Sequence, residues 1–259
     1  MIRNKIKTTL ALILLSALLF SFAIGVNADE ELHWYLKRHR GSTPSFPKES
    51  ESFFEYDAYC IDKSAEEKGK VLYLTFDAGY ENGNVAKILD TLKSEEVPAA
   101  FFLLDNIILK NTDLVLRMAD EGHLVCNHTK NHKNLCHASE EEIAKNLTAL
   151  EKIYEEKTGR EISKYFRFPE GCYSINALKC VQKLGYKTVF WSFAYDDWDN
   201  SRQPSREKAI KKVLENTHNG AVMLFHPTSS TNAEILPTLI KEWKSMGYTF
   251  GTLDELTSH

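Results

Sequence analysis

The stretch Val71-Leu72-Tyr73-Leu74-Thr75-Phe76-Asp77-Ala78-Gly79 decides how the chain is read. Its first six residues carry no charge and are rich in bulky and aromatic side chains. A short run of this kind, bounded by a turn signal, reads as a strand buried on both faces. The one ionisable residue, Asp77, stands just where the run ends. Working outward, the same order recurs at residues 99–104, 124–126, 165–168, 188–193, 221–225 and 248–252. Between these runs lie stretches with apolar residues at helical spacing: 83–94 (with Val85, Ile88, Leu89 and Leu92 on one stripe), 113–119, 140–157, 175–184, 205–217 and 233–246. Ser139 and Glu142 form a capping-box signature before the longest of them, and Gly159 follows its end. Six or seven β/α units in series imply a parallel sheet with right-handed crossovers, hence a barrel or a doubly wound sheet.

The polar residues fall at matching places. Asp77, Asn127-His128, Arg167, Asp196-Asp197 and His226 each stand just beyond a predicted strand. In parallel β/α folds those ends form one rim, where active sites are built. Taken singly, each residue has a plain explanation. Asp77 could make an Asx-turn or cap a helix, and His128 and His132 could be surface histidines. Their functional readings are sharper. If the segment is helical, the H-x3-H spacing puts both imidazoles on one face, as two ligands of a divalent metal with zinc the default. Pro169 and Gly171 around Glu170 suggest a turn that exposes backbone N–H groups able to hold an oxyanion. Asp197 reads as an acid orienting Arg167, Trp198 as an aromatic wall for a sugar ring, and His226 as a general acid or base at neutral pH.

The 259 residues, 43% hydrophobic and with a net charge of −4, suit one large domain and argue against nucleic acid as a partner. The charge is unevenly spread. Arg3, Lys5 and Lys7 open the chain, an apolar run covers 10–26, and Val26-Asn27-Ala28 precedes Asp29-Glu30-Glu31. This is the order of a secretory signal peptide over 1–28, with an uncleaved membrane anchor as the alternative. After cleavage 29 Lys and Arg face 36 Asp and Glu, a balance of −7, and the expected location is outside the cytoplasm, peripheral to the membrane at most. Residues 29–70 read as a polar extension packed outside a domain spanning 71–256. Five cysteines, Cys60, Cys126, Cys136, Cys172 and Cys180, leave at least one unpaired within a chain. Cys126 and Cys136 flank the histidines and could bridge, or all five could be small buried hydrophobes.

In order, these segments resemble the polysaccharide deacetylase domain, the NodB-homology fold of carbohydrate esterase family four, from about Val71 to Leu256. Residues 75–83 and 224–232 look most like its delta-lactam-biosynthetic branch, which acts on N-acetylmuramic acid in spore-cortex peptidoglycan. The resemblance implies a distorted (β/α) barrel of about seven parallel strands. It implies Asp77 as base, His128 and His132 as metal ligands, Arg167 orienting the base, Asp197 holding that arginine, and His226 as the acid that protonates the departing amine. Glu170, Gly171, Trp198 and Asn232 fall where substrate would bind. The implied partner is a peptidoglycan glycan strand. Two positions depart from the pattern. Ala78 stands where most relatives have a second, metal-binding Asp, and Glu170 where many have Tyr. The first leaves two histidines, water and Asp77 for a divalent metal, zinc by default. The alternatives are N-acetylglucosamine deacetylation in peptidoglycan or chitin-like glycan, and a catalytically silent glycan-binding module.

Overall fold

The computed structural model describes residues 30–258; the expected signal peptide lies outside the described residues. Twelve strands are found among them: β1 (Leu32–His33), β2 (Lys37–His39), β3 (Ser42–Ser45), β4 (Ala58–Tyr59), β5 (Val71–Ala78), β6 (Ala100–Leu103), β7 (Leu124–Asn127), β8 (Ser163–Phe166), β9 (Cys172–Tyr173), β10 (Lys187–Val189), β11 (Ala221–Phe225) and β12 (Thr249–Phe250). The main sheet runs β11-β5-β6-β7-β8-β10-β4, with β12 also on β5, and every pairing in it is parallel. It is a curled, open half-barrel. Isolated contacts stitch its margins: Phe193 bridges Met223, and the Leu224 N–H donates to the Phe193 carbonyl at 2.8 Å.

Strand periodicity sorts the core. On β5, Leu72, Leu74, Phe76 and Ala78 pack outward among the helices. Val71 and Tyr73 pack inward with Ala100, Phe102, Cys126, Tyr165, Val189 and Val222. Side chains alternate along a strand, so counting on by twos from these inward residues reaches Asp77, His128, Arg167, Trp191 and His226. One parity rule therefore gathers five residues from five strand ends at one mouth.

The predicted helices form. Glu140–Thr158 carries the expected capping box of Ser139 and Glu142 and ends on Gly159 with φ 69°. Its four buried residues, Ile143, Leu147, Leu150 and Tyr154, share one stripe. A short helix at Asp105–Lys110 was not anticipated. No helix among the described residues is long and apolar enough to cross a membrane.

The polar stretch 29–70 contributes to the body of the fold. β4 pairs with β10, and Trp34, 6% exposed, lies against Phe46, Phe53 and Phe190 with ring centroids 4.9–5.6 Å apart. Aromatic contacts of this kind contribute roughly 0.5–1.5 kcal/mol each beyond their area. A two-residue strand has no alternation to betray it, which is why sequence reading places this segment outside. All five cysteines are free thiols, so Cys126 and Cys136 form no bridge. Cys126 is buried in the barrel interior, whereas Cys136 packs beside Cys172.

Candidate active site

The mouth of the half-barrel opens into a cavity of about 620 Å³ lined by Asp77, His128, His132, Glu170, Trp198 and His226, with Arg38, Phe168, Trp191, Ala194, Tyr195, Asp196 and Leu224 completing its wall. Beneath it lies Arg167, fully buried. Its Nη1 donates to Asp77 Oδ1 at 2.7 Å, Nη2 to Thr75 Oγ1 at 2.9 Å and Nε to the Val189 carbonyl at 2.9 Å. The guanidinium also sits 4.1 Å over the Phe102 ring. Burial alone would raise the Asp77 pKa. The charges of Arg167, His128 and His226 outweigh it and hold the carboxyl below its ordinary 3.8.

His128 is nearly enclosed, and burial pushes its pKa down to about 4. It is therefore a neutral imidazole at neutral pH, and its 3.6 Å approach to Asp77 Oδ2 is no charged pair there. Its Nδ1 lies 2.9 Å from the Arg167 carbonyl. A carbonyl only accepts, so Nδ1 carries the proton and Nε2 turns its lone pair toward Asp77 and the cavity. His132 stands beside it, ring centroids 5.1 Å apart. The two histidines are not on a helix, contrary to the helical option for H-x3-H. The segment after β7 is irregular, and left-handed backbone at Thr129 (φ 72°) and His132 (φ 59°) folds the second ring back to the first. With Glu170 (φ 59°), three of the five non-glycine residues with positive φ among the described residues cluster here. Left-handed backbone is disfavoured for a branched residue such as Thr129, and such strain concentrates at functional sites.

Across the cavity stands His226. Its Nδ1 and backbone N–H donate to Asp197 at 2.8 and 2.9 Å. Asp197 is fully buried and also accepts from Asn232 Nδ2 at 2.6 Å, while Asn232 accepts from the Tyr195 hydroxyl. Burial would depress the His226 pKa, but the hydrogen bond and charge of Asp197, with Asp77 beyond, raise it above 6.5.

Three site expectations change. Asp197 holds His226 and makes no hydrogen bond or ion pair with Arg167, whose guanidinium turns to Asp77, Thr75 and two strand-end carbonyls. Asn232 lies behind Asp197, off the cavity wall, because its amide bridges Asp197 and the His226 carbonyl. Gly171 is buried too: its N–H donates to the Phe168 carbonyl at 3.1 Å, and a Cβ at its φ of +67° would meet the Trp191 ring at 2.8 Å. Glu170 is the residue of that turn that lines the cavity, and Trp198, 60% exposed, lies on its outer wall. Sequence reading missed Trp191 as a wall residue, though it was findable by counting two from Val189. Arg38, one of the few cations the sequence offers near the rim or the extension, reaches the wall from β2, which pairs only with β3.

The donor types suit a divalent metal: His128 and His132 offer imidazole nitrogens and Asp77 a carboxylate on one cavity wall, while Ala78, 1% exposed, offers no donor.

A family profile described as Polysaccharide deacetylase matches residues 64–189. The chain is 36% identical over 230 residues to the peptidoglycan-N-acetylmuramic acid deacetylase PdaA of Bacillus subtilis, covering 88% of this chain and 86% of that protein. It is 34% identical over 191 residues to the peptidoglycan-N-acetylglucosamine deacetylase PgdA of Listeria monocytogenes, covering 72% of this chain and 39% of that one. The solved structure of Bacillus subtilis PdaA, described as a family 4 carbohydrate esterase, superposes with a TM-score of 0.83 over 88% of this chain and 97% of that one.

Proposed function

The chain belongs to the polysaccharide deacetylase family, and from that premise we propose that it removes the N-acetyl group from N-acetylmuramic acid in peptidoglycan glycan strands, outside the cytoplasm, as a step toward muramic δ-lactam in spore cortex. One observation carries the reading. An ionised carboxylate and a protonatable imidazole, Asp77 and His226, line one cavity, and each is held in its charge state by a buried partner. That is the pair amide hydrolysis needs: a base for the attacking water and an acid for the departing nitrogen.

His128, His132 and Asp77 are the residues that would hold a divalent metal, zinc by donor type. When bound, such an ion polarises the amide oxygen and lowers the pKa of a water. The protein's own groups do the rest. Arg167 keeps Asp77 ionised and aimed into the cavity, so Asp77 takes a proton from the water whose oxygen attacks the acetyl carbon. Asp197 fixes His226 through Nδ1, so the Nε2 proton faces the cavity and passes to the sugar nitrogen as the C–N bond breaks. Acetate and a free amine result. On muramic acid that amine lies within reach of the lactyl carboxyl of its own sugar, the ring-closing step of a δ-lactam.

Muramic acid is an acid, and the mature chain is itself acidic, so attraction must be local. Arg38 lines the cavity. A neighbouring groove of about 680 Å³ shares the wall of Tyr195, Asp196 and Trp198 and adds Lys208, Lys212 and Arg202, the last paired with Asp199 at 3.0 Å. Arg38 and the two lysines favour a carboxylate-bearing glycan over a neutral one.

The test is mass spectrometry of glycan strands, with and without stem peptides, after incubation with residues 29–259 and a series of divalent metals. The expected product has hydrogen in place of acetyl on muramic acid. Loss of acetyl from N-acetylglucosamine alone overturns the substrate. Tight binding with no acetate released under any metal overturns the activity and supports the silent module that Ala78 invites.

A further inference from the structure

Behind the turn at Glu170 and Gly171 lies a second gathering of ligand-type side chains that the deacetylase reading leaves unused. Glu31, Cys136 and His137 each place a ligand atom within 4.8 Å of the others, and so do Glu31, His33 and Cys172. Glu31 joins the two sets: Oε1 lies 3.0 Å from His33 Nε2, and Oε2 2.8 Å from His137 Nε2. The Cys136 and Cys172 thiols are within hydrogen-bonding reach of each other and of Glu31.

Three separate segments converge to make this group. His33 on β1 pairs directly with Cys172 on antiparallel β9, which puts both side chains on one face. Cys136 and His137 come from the loop after β7. That loop is pinned by the Ser174 hydroxyl donating to the Cys136 carbonyl at 2.7 Å, and by the Cys136 N–H donating to Asn134 Oδ1 at 2.9 Å. Asn134 Nδ2 in turn donates to Cys172 Sγ at 3.2 Å, an outer-shell bond of the kind that steadies a sulfur ligand. The cysteines are buried, yet neither is in a disulfide. Each triad sets a cysteine sulfur and an imidazole beside the shared Glu31 carboxylate, a donor set that suits zinc once the thiols give up their protons, and sulfur donors disfavour magnesium or calcium.

We infer that Glu31, flanked by Cys136 and His137 on one side and by Cys172 and His33 on the other, centres a zinc-type structural site distinct from the His128–His132 pair. Its place in the fold says what it does. The Trp34 N–H donates to the Gly171 carbonyl at 2.8 Å one residue from this cluster, and Glu170 is the next residue toward the cavity. The metal fastens the N-terminal strand to the back of the cavity wall.

Cobalt(II) tests this without reference to activity. Residues 29–259, stripped of metal and reduced with a non-thiol reductant, are titrated with cobalt while the near-ultraviolet thiolate-to-cobalt charge-transfer absorption is followed. The expected result is a band that saturates at one equivalent and is displaced by zinc. It persists in His128→Ala/His132→Ala, whose site has no sulfur, and vanishes in Cys136→Ser/Cys172→Ser. His137→Ala removes an exposed ligand and keeps the fold, and it lowers cobalt affinity by at least about tenfold. The proposal is overturned if the folded protein gives no band, if the band survives the double serine variant, or if His137→Ala leaves the affinity unchanged. It is equally overturned if the reduced thiols reoxidise to a Cys136–Cys172 disulfide in preference to taking metal.

Discussion

Two ion pairs face each other across the cavity, and they are built in opposite senses. In the Asp77–Arg167 pair the cation is sealed off entirely and the carboxylate reaches the cavity. In the Asp197–His226 pair the carboxylate is sealed, 1% exposed, and the imidazole is presented, 28% exposed. The chemistry of each pair is the same: a charge-assisted hydrogen bond at 2.7–2.8 Å in a low-dielectric setting. Their output differs because the buried member sets the charge state of the exposed one. A buried guanidinium yields an ionised carboxylate, a base. A buried carboxylate yields a charged imidazole, an acid. Acid and base are thus separated by which partner is placed inside, and no unusual residue is needed.

The largest break comes from Asp77→Asn. The variant keeps the shape, removes the base, and leaves Arg167 without its counter-ion. Acetate release should fall by about 10²–10⁴-fold. Stability should fall by about 3–5 kcal/mol, the usual cost of leaving one member of a buried pair alone. Acetate assays and urea unfolding measure the two effects separately. A variant with wild-type turnover would show that the cavity-facing carboxylate is not the base and would end the symmetry between the pairs.

The second break acts on the other pair through pH. Burial is the largest influence on His226 and pushes its pKa down; Asp197 reverses it. Asp197→Asn should therefore let the pKa drop below its ordinary 6.5 and shift the alkaline limb of kcat to lower pH. The fall in kcat at neutral pH should reach about 10²-fold. Linkage fixes the sign for stability. A folded-state pKa raised above 6.5 means that the native state holds its proton longer than the unfolded chain. The stabilisation is complete below pH 6.5 and is lost as pH rises through the raised folded value. Asp77 runs the other way: its depressed pKa gives stability that is present above 3.8 and lost as pH falls through the folded value. Unfolding of wild type and Asp197→Asn should thus differ most below pH 6.5 and converge in part above it. A gap that is constant with pH would assign Asp197 a purely packing role.

The same comparison explains what could be read without coordinates. β5 to β8, β10 and β11 were legible because each lies in or ends on a short apolar run. The residues at their ends were legible because a polar side chain just past such a run has no packing reason to be there. Partnership was not legible. The sequence places Asp197 and Arg167 equally near the mouth and cannot say that the arginine turns to Thr75, two carbonyls and Asp77 instead. Local spacing also misled at His132, where i, i+4 suggested a helix and the left-handed backbone of Thr129 and His132 provides the juxtaposition instead. The stretch 29–70 was opaque for a third reason. It contributes short strands of two to four residues, scattered buried side chains such as Trp34 and Phe53, and one arginine at the cavity, none of which makes a periodic signal.

That arginine gives the smallest and most discriminating effect. Arg38 is an exposed residue whose Nη2 donates to the Ala194 carbonyl, and it takes part in neither pair. Removing it should leave both pKa values, and hence the pH profile, in place. Its charge faces a cavity proposed to receive a sugar bearing a lactyl carboxylate, and a solvent-accessible ion pair is worth about 0.2–1 kcal/mol. Arg38→Ala should therefore raise KM by about 1.4- to fivefold on strands whose muramic carboxylates are free. It should do nothing measurable to kcat, and the KM effect should shrink as salt is added and charges are screened. On strands whose lactyl groups are capped by peptide, KM should not move. If KM rises equally on both substrates, Arg38 supports the wall through Ala194 and does not read the carboxylate. Muramic selectivity would then have to come from Lys208 and Lys212 in the adjoining groove.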